Sequence, residues 1–188
     1  SHAVLAAAEV GNRLSKEEYK RVVPDLRVGL VNAQYDLREA DFPLIVLVAG
    51  DDRLGANAVV NRINEWMDAR YIRTHVYGDP SAADLERPPF WRMWQAIPPH
   101  GRTALWAGGI FRQVSALMRG ELDPTEFETW LRHLEALQAD LLNDGALLVK
   151  LFLHTPEKEQ LARLKRAKRG DEDEGWRGNP RDLDPGEW

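Results

Sequence analysis

The chain has 188 residues, of which 44% are hydrophobic and 29% are charged, and it contains no cysteine. These values are typical of one globular domain with a single sizeable core, and they exclude a disulfide framework. No apolar run reaches membrane-spanning length, and the net charge of -5 argues against broad nucleic-acid binding. We therefore predict a cytoplasmic protein that has neither a membrane nor a nucleic acid as its partner.

The first predicted element is a long N-terminal helix. Ser15 and Glu18 form a capping-box pattern at its start, and apolar residues at helical spacing continue to Leu37. Pro24 lies inside this pattern, so we expect it to bend or split the helix. Residues 1–42 are taken as a helical extension in front of the main domain.

The most informative segment follows this helix. Residues 43–49 form an apolar run that predicts a buried parallel strand, and the residues after Gly50–Asn57 return to helical spacing. A strand, a glycine turn and a helix start are the arrangement in which backbone N–H groups bind phosphate. Ala56, however, stands where such a loop has its lysine, and Asp51 with Asp52 adds negative charge. The segment therefore predicts the geometry of a phosphate loop without the chemistry of phosphoryl transfer.

Three more strands alternate with helices in the rest of the chain. They are a strand at 71–77, a short helix from Ala82, a strand at 103–107, a helix opened by Asp123 and Pro124, a strand at 146–153 and a last helix from Thr155. Such alternation implies parallel crossovers and a doubly wound α/β sheet that binds ligands at the carboxyl ends of its strands. We therefore expect the turn after the first strand and the ends of the third and fourth strands along one rim.

Several separate motifs resemble the type-2 polyphosphate kinases, which move phosphate between inorganic polyphosphate and nucleotides. The resembling segments are 8–11, 50–57, 63–70, 86–94, 98–102 and 144–154, and the most specific are the Trp91-Arg92 block and the strand that ends at His154. The resemblance implies a P-loop kinase-like, three-layer α/β/α core over residues 43–169, with a parallel sheet that has four strands in this chain. Residues 170–188 would then form a lid-like polar tail.

Two catalytic motifs of that family are altered in this chain. The family's loop resembles G-x-D-x-A-G-K-G, so Gly50, Asp52 and Gly55 match, whereas Ala56 replaces the lysine. The second signature, an aromatic followed by D/N-R-S-W-Y, falls on residues 106–111 and lacks its acidic, arginine and serine positions. Phosphoryl transfer depends on positioned charge around magnesium, so we expect no catalytic residue and no cofactor in this domain. Active family members use Mg²⁺, and in an active domain Asp52 would be the catalytic and metal-binding residue.

The resemblance also implies positions that bind phosphate or polyphosphate. They are Gly50, Asp52 and Gly55 in the loop, together with Arg70, Arg92 and Arg102 as the lining of a polyphosphate channel. The competing interpretation makes Asp52 a solvated loop aspartate, and it gives the arginines packing and carbonyl-binding roles instead.

One branch of this family fuses two such domains, with an N-terminal copy that resembles this chain and a C-terminal copy that carries intact motifs. We therefore expect this chain to be a piece of a longer protein, with the intact kinase domain as its partner and a homo-oligomer as its assembly. The first hypothesis is a non-catalytic domain that supports its active twin through an interface or through polyphosphate handling. The alternatives are an active polyphosphate-dependent nucleotide phosphotransferase and a sensor that binds nucleotide or polyphosphate without turnover.

Overall fold

The computed structural model describes residues 14–50, 52–109, 113–114, 116–117, 120–156, 158–159, 161–162 and 165. Strands and helices alternate along the chain, as predicted. In order they are α1 (Lys16–Leu37), β1 (Leu44–Gly50), α2 (Arg53–Trp66), β2 (Ile72–Tyr77), α3 (Ala82–Leu85), α4 (Trp91–Trp94), β3 (Thr103–Gly108), α5 (Pro124–Asn143) and β4 (Leu147–Leu153). The predicted tail at 170–188 lies outside the described residues, as do most of the helix after Thr155 and the last two positions of the 106–111 signature.

The four strands form one parallel sheet in the order β2-β3-β1-β4. β1 is central, with Val46 opposite Leu105 of β3 on one side and opposite Val149 of β4 on the other. From β1 the chain passes over β3 to reach β2 at one edge of the sheet. From β3 it passes over β1 to reach β4 at the other edge. The carboxyl ends of β1 and β3 therefore lie next to each other at the point where the strand order reverses, which is where open α/β sheets bind ligands.

Two hydrophobic clusters cover the opposite faces of the sheet and make the fold a three-layer α/β/α sandwich. Alternate residues of β1 divide between them, because successive side chains of a strand point to opposite faces. Ile45 packs with Met93 of α4 and Leu137 of α5. Val46 packs with Val60 of α2, and Leu30 of α1 lies against the same cluster.

Helix α1 begins as predicted but is not split. Ser15 is its N-cap, and the Ser15 hydroxyl accepts a hydrogen bond from the backbone N–H of Glu18 at 3.1 Å. The helix continues through Pro24 to Leu37, so of the two expected effects of this proline, a bend or a split, the split does not occur. A proline removes one helical hydrogen bond, and this part of α1 is exposed, so water can satisfy the carbonyl that loses its partner.

The C-terminal end of α1 is fixed to the loop that precedes β2. The Gln34 side chain is only 4% exposed, and its Nε2 donates to the carbonyl of Asp68 at 3.0 Å. Its Oε1 accepts from the backbone N–H of Asp68 at 2.7 Å, so both polar atoms of a buried amide are satisfied.

No helix among the described residues is both long and apolar enough to cross a membrane.

Candidate functional site

The turn after β1 is short, and it forms hydrogen bonds with the N-terminus of helix α2, which follows it. Helix α2 begins at Arg53, and Asp52 is its N-cap. The Asp52 Oδ1 atom accepts from the backbone N–H of Gly55 at 2.8 Å, and the Asp52 carbonyl accepts from the N–H of Ala56 at 2.8 Å. The N–H groups of Gly55 and Ala56 are therefore already bonded within the turn. In a phosphate-binding loop, the donors at this end of the helix would face the phosphate.

The Asp52 carboxylate also joins this turn to the segment after β4. Its Oδ2 accepts from the Thr155 hydroxyl at 2.6 Å, and the two residues are 5% and 7% exposed. The backbone N–H of Asp52 donates to the carbonyl of Leu153 at 3.3 Å. The interpretation of Asp52 as a solvated loop aspartate was therefore wrong, because its carboxylate is buried and bonded on both oxygens. Thr155 was not among the predicted site residues. The signal that could have identified it is a hydroxyl side chain just after β4, the strand that pairs with β1.

Two glycines of the turn sit where an added Cβ would force another group to move. Gly50 has a φ of +143°, and a Cβ there would lie 1.9 Å from the carbonyl oxygen of Leu153. A Cβ on Gly55 would lie 2.5 Å from Oδ2 of Asp52. Gly50 thus allows the close approach of β4, and Gly55 makes room for the capping carboxylate.

The three predicted arginines lie at two different edges of the sheet. Arg92 lies at the carboxyl edge, where its Nη2 donates to the carbonyl of Gly78 at 3.0 Å. Arg70 and Arg102 lie at the amino edge, just before β2 and β3, and Arg102 Nη1 donates to the Arg70 carbonyl at 2.9 Å. A six-residue strand separates the two edges by roughly 17 Å. The six predicted residues therefore do not form one compact cluster, although Gly50, Asp52 and Gly55 do lie together.

Arg92 shares the carboxyl end of β2 with an aromatic ring and a carboxylate. Its guanidinium carbon is 5.7 Å from the centroid of the Tyr77 ring, and its Nε is 3.8 Å from Oδ2 of Asp84. Burial raises the pKa of the Tyr77 hydroxyl to about 12. The pKa of Asp84 is lowered, first by the backbone N–H of Ser81 and then by the Ser81 hydroxyl.

At the amino edge, three guanidinium groups surround one tyrosine. Those of Arg102, Arg38 and Arg70 lie 4.5, 4.6 and 5.5 Å from the centroid of the Tyr71 ring. Arg70 is also paired with Asp68, with 2.6 Å between Nη2 and Oδ2. This pairing neutralises one of the three positive charges.

The ion pair between Asp68 and Arg70 predicts that the Asp68 carboxyl titrates at an unusually low pH. Hydrogen bonds from Arg70 lower the pKa of Asp68 from 3.8 to about 2. Because the folded-state pKa is depressed, the stabilisation from this pair is present above pH 3.8 and is lost as the pH falls through about 2. We expect NMR of the Asp68 side chain to give a midpoint near 2, and Arg70→Ala to return it towards 3.8. A midpoint that Arg70→Ala leaves unchanged would contradict the assignment.

The surroundings of Asp52 do not fit a magnesium ion. Mg²⁺ takes six oxygen ligands in octahedral geometry, usually one or two carboxylates with waters and substrate phosphates. Here both oxygens of the Asp52 carboxylate already accept hydrogen bonds, from Gly55 and from Thr155. Among the described residues, no group of three or more His, Cys, Asp or Glu side chains could hold a metal.

The parallel sheet and the helix that starts directly after its central strand define a doubly wound α/β protein with its candidate site at the carboxyl rim. The family model for polyphosphate kinase 2 (PPK2) matches residues 13–188. The chain belongs to this family.

Curated relatives and solved structures agree with this assignment. The chain is 35% identical over 178 residues to a polyphosphate:AMP phosphotransferase of Pseudomonas aeruginosa, and 32% identical over 178 residues to one of Pseudomonas syringae. Each match covers 94% of this chain and 36% of the relative, so the chain spans about a third of their length. A crystal structure of a polyphosphate kinase 2 from P. aeruginosa superposes with a TM-score of 0.77 at 34% identity, covering 89% of this chain and 38% of that one. A polyphosphate kinase 2 from Arthrobacter aurescens, at 20% identity, shares the fold with a TM-score of 0.75 and covers 93% of this chain and 63% of that one.

Proposed function

We propose that this chain is a non-catalytic polyphosphate kinase 2 domain, which supports an intact kinase domain of the same protein and contacts polyphosphate without transferring phosphate. The observation that carries the proposal is the Asp52 carboxylate. It accepts from the Gly55 N–H at 2.8 Å and from the Thr155 hydroxyl at 2.6 Å, next to the position where Ala56 replaces a lysine. The positive charge that phosphoryl transfer needs is therefore missing at position 56, and the aspartate that active family members share is engaged in contacts within the domain.

The family and the length of the relatives support the proposed separation between this domain and a catalytic one. Two relatives, of each of which this match covers 36%, are named polyphosphate:AMP phosphotransferase. In our proposal the parent protein transfers phosphate between polyphosphate and AMP in the cytoplasm, and its intact domain carries the chemistry together with Mg²⁺. This domain contributes an interface with the intact kinase domain, part of the surface that contacts polyphosphate, and contacts within a homo-oligomer.

An assay of the 188-residue chain tests the proposal. With polyphosphate, AMP and Mg²⁺, we expect no formation of ADP above the blank, because Ala56 replaces the lysine that would neutralise the transferring group. The matched control is Asp52→Asn, which keeps a side-chain oxygen that can cap α2 and removes the charge. ADP formation by the unmodified chain that disappears in Asp52→Asn would show an active kinase and would overturn the proposal.

A further inference from the structure

The outer face of α1 carries a stripe of exposed apolar side chains. Val28, Val31 and Tyr35 are 60%, 43% and 64% exposed. A helix turns by about 100° per residue, so these three positions lie within about 60° of one another. The face of α1 that packs on the domain carries Leu30 and Leu37 and lies roughly 120° away. The stripe therefore takes no part in holding α1 against the sheet.

Positive and negative charges lie on different sides of this stripe. Arg27 and Arg38 lie about 50–75° from its middle on one side, whereas Asp25 and Asp36 lie about 90–105° from it on the other. Neither arginine forms an ion pair with a residue that the structure describes. The arginine side faces the amino edge of the sheet, because Arg38 lies against Tyr71 there. The stripe therefore has one positive border.

This positive border continues into the cluster around Tyr71. The Arg38 guanidinium lies 4.9 Å from the centroid of the Tyr35 ring and 4.6 Å from that of the Tyr71 ring, so it joins the stripe to the cluster. Arg102 lies 4.5 Å from the same Tyr71 centroid. The Asp68 carboxylate already belongs to its own ion pair, so the cluster keeps a net positive charge. Tyrosine and arginine are also the residue types that contribute most at protein interfaces.

We propose that this surface of α1 binds an amphipathic helix of the intact kinase domain, and that the bound helix carries carboxylates along one side. The surface, called the α1 surface below, consists of Arg27, Val28, Val31, Tyr35, Arg38 and Tyr71. This inference rests on the proposed function, because it gives the interface between the two domains a location. An apolar stripe on one helix fits the apolar face of another, and a positive border favours a partner with negative charge.

The size of the α1 surface favours a domain of the same protein over a separate partner. The surface is roughly 25 Å long from Arg27 to the Tyr71 cluster, and a helix is about 10–12 Å wide, so the two partners together would bury roughly 600 Å². Interfaces between domains of one chain begin at about this area, whereas stable complexes of separate proteins bury about 1,200 Å² or more. A covalent link raises the effective concentration and makes such a small area sufficient. The match covers only 36% of each polyphosphate:AMP phosphotransferase relative, so most of the length of those proteins lies outside it.

Val31→Lys tests the α1 surface, and Leu26→Lys is its matched control. Both variants replace an exposed apolar residue of α1, but Leu26 lies about 140° from Val31 around the helix. Lysine has at least the helix propensity of valine and about that of leucine, so neither variant should unfold α1. Arg27→Glu reverses the charge of the positive border and tests it separately.

The readout is hydrogen–deuterium exchange by mass spectrometry in peptides that cover residues 27–37. It is measured in the parent protein and in the 188-residue chain. We expect exchange in the parent to be slower by about tenfold or more, because docking suppresses the local opening of this part of α1. In the parent, Val31→Lys and Arg27→Glu should bring the rate to within about threefold of the 188-residue chain, and Leu26→Lys should leave it slow.

Equal exchange rates in the parent and in the 188-residue chain would overturn the proposal, as would equal effects of Val31→Lys and Leu26→Lys. Two other occupants are tested on the 188-residue chain. A dimer in light scattering that Val31→Lys dissociates would assign the α1 surface to a second copy, and binding to vesicles of phosphatidylserine and phosphatidylcholine that Val31→Lys abolishes would assign it to a membrane. Either result would overturn the docking of a kinase domain. ADP formation by the 188-residue chain would remove the proposed function without changing the exchange result, so the two proposals can fail separately.

Discussion

Gly50→Ala is expected to prevent stable folding of the domain. The new Cβ would lie 1.9 Å from the carbonyl oxygen and 2.6 Å from the backbone nitrogen of Leu153. Leu153 is the register partner of Gly50 in the β1–β4 ladder, so it cannot retreat without separating the two strands. Breaking this ladder beside the core costs more than about 4 kcal/mol, a large part of the stability of an ordinary domain. Circular dichroism and thermal melting measure the result.

A second glycine provides the control for backbone strain. Gly120 also has a positive φ, +72°, but a Cβ there meets no atom within 4 Å. Gly120→Ala therefore tests the left-handed conformation alone, and we expect it to cost about 1–2 kcal/mol and to leave the domain folded. If Gly50→Ala melted within a few degrees of Gly120→Ala, the close approach of β4 would not be what requires glycine at position 50.

The order of the elements was predictable because each one carries a strong local signal. The predicted strand at 103–107 is β3 (Thr103–Gly108), and Asp123 caps α5 with Pro124 at its start. These signals depend on residues close together in the sequence. The exposure of β4 was not predictable in this way, because an apolar run does not reveal whether its strand is central or at an edge. Phe152 of β4 is 54% exposed, whereas Ile45 of the central β1 is fully buried.

The candidate site was predictable only in part, for a similar reason. The family resemblance placed Gly50, Asp52 and Gly55 in one turn, because these residues are neighbours in the chain. It grouped Arg92 with Arg70 and Arg102, although the predicted strands at 71–77 and 103–107 already placed Arg70 and Arg102 at the amino edge of the sheet. The bond from Thr155 to Asp52 joins residues 103 positions apart, and no sequence period predicts such a contact.

The carboxylate of Asp52 is expected to be a main determinant of the stability of this rim. Asp52→Ala removes the N-cap of α2, which costs about 0.5–2 kcal/mol, and leaves the buried Thr155 hydroxyl without this partner, which costs about 1–3 kcal/mol. Urea denaturation should therefore show a loss of about 2–4 kcal/mol, with an unchanged m-value. A loss below about 0.5 kcal/mol would be the effect of an ordinary surface residue and would contradict this role.

The same contact predicts that Gly55→Ala has opposite effects in two backgrounds. In the unmodified chain the Cβ would lie 2.5 Å from Oδ2 of Asp52, and hydrogen bonds from Gly55 and Thr155 hold that carboxylate in place. We expect net destabilisation of about 1–3 kcal/mol, because displacing the carboxylate costs more than the gain in helix propensity. In Asp52→Ala the obstacle is gone, so Gly55→Ala should stabilise α2 by about 1 kcal/mol, the ordinary advantage of alanine over glycine in a helix. A double-mutant cycle by urea denaturation measures the change of sign, and additive effects would show that the carboxylate does not restrict position 55.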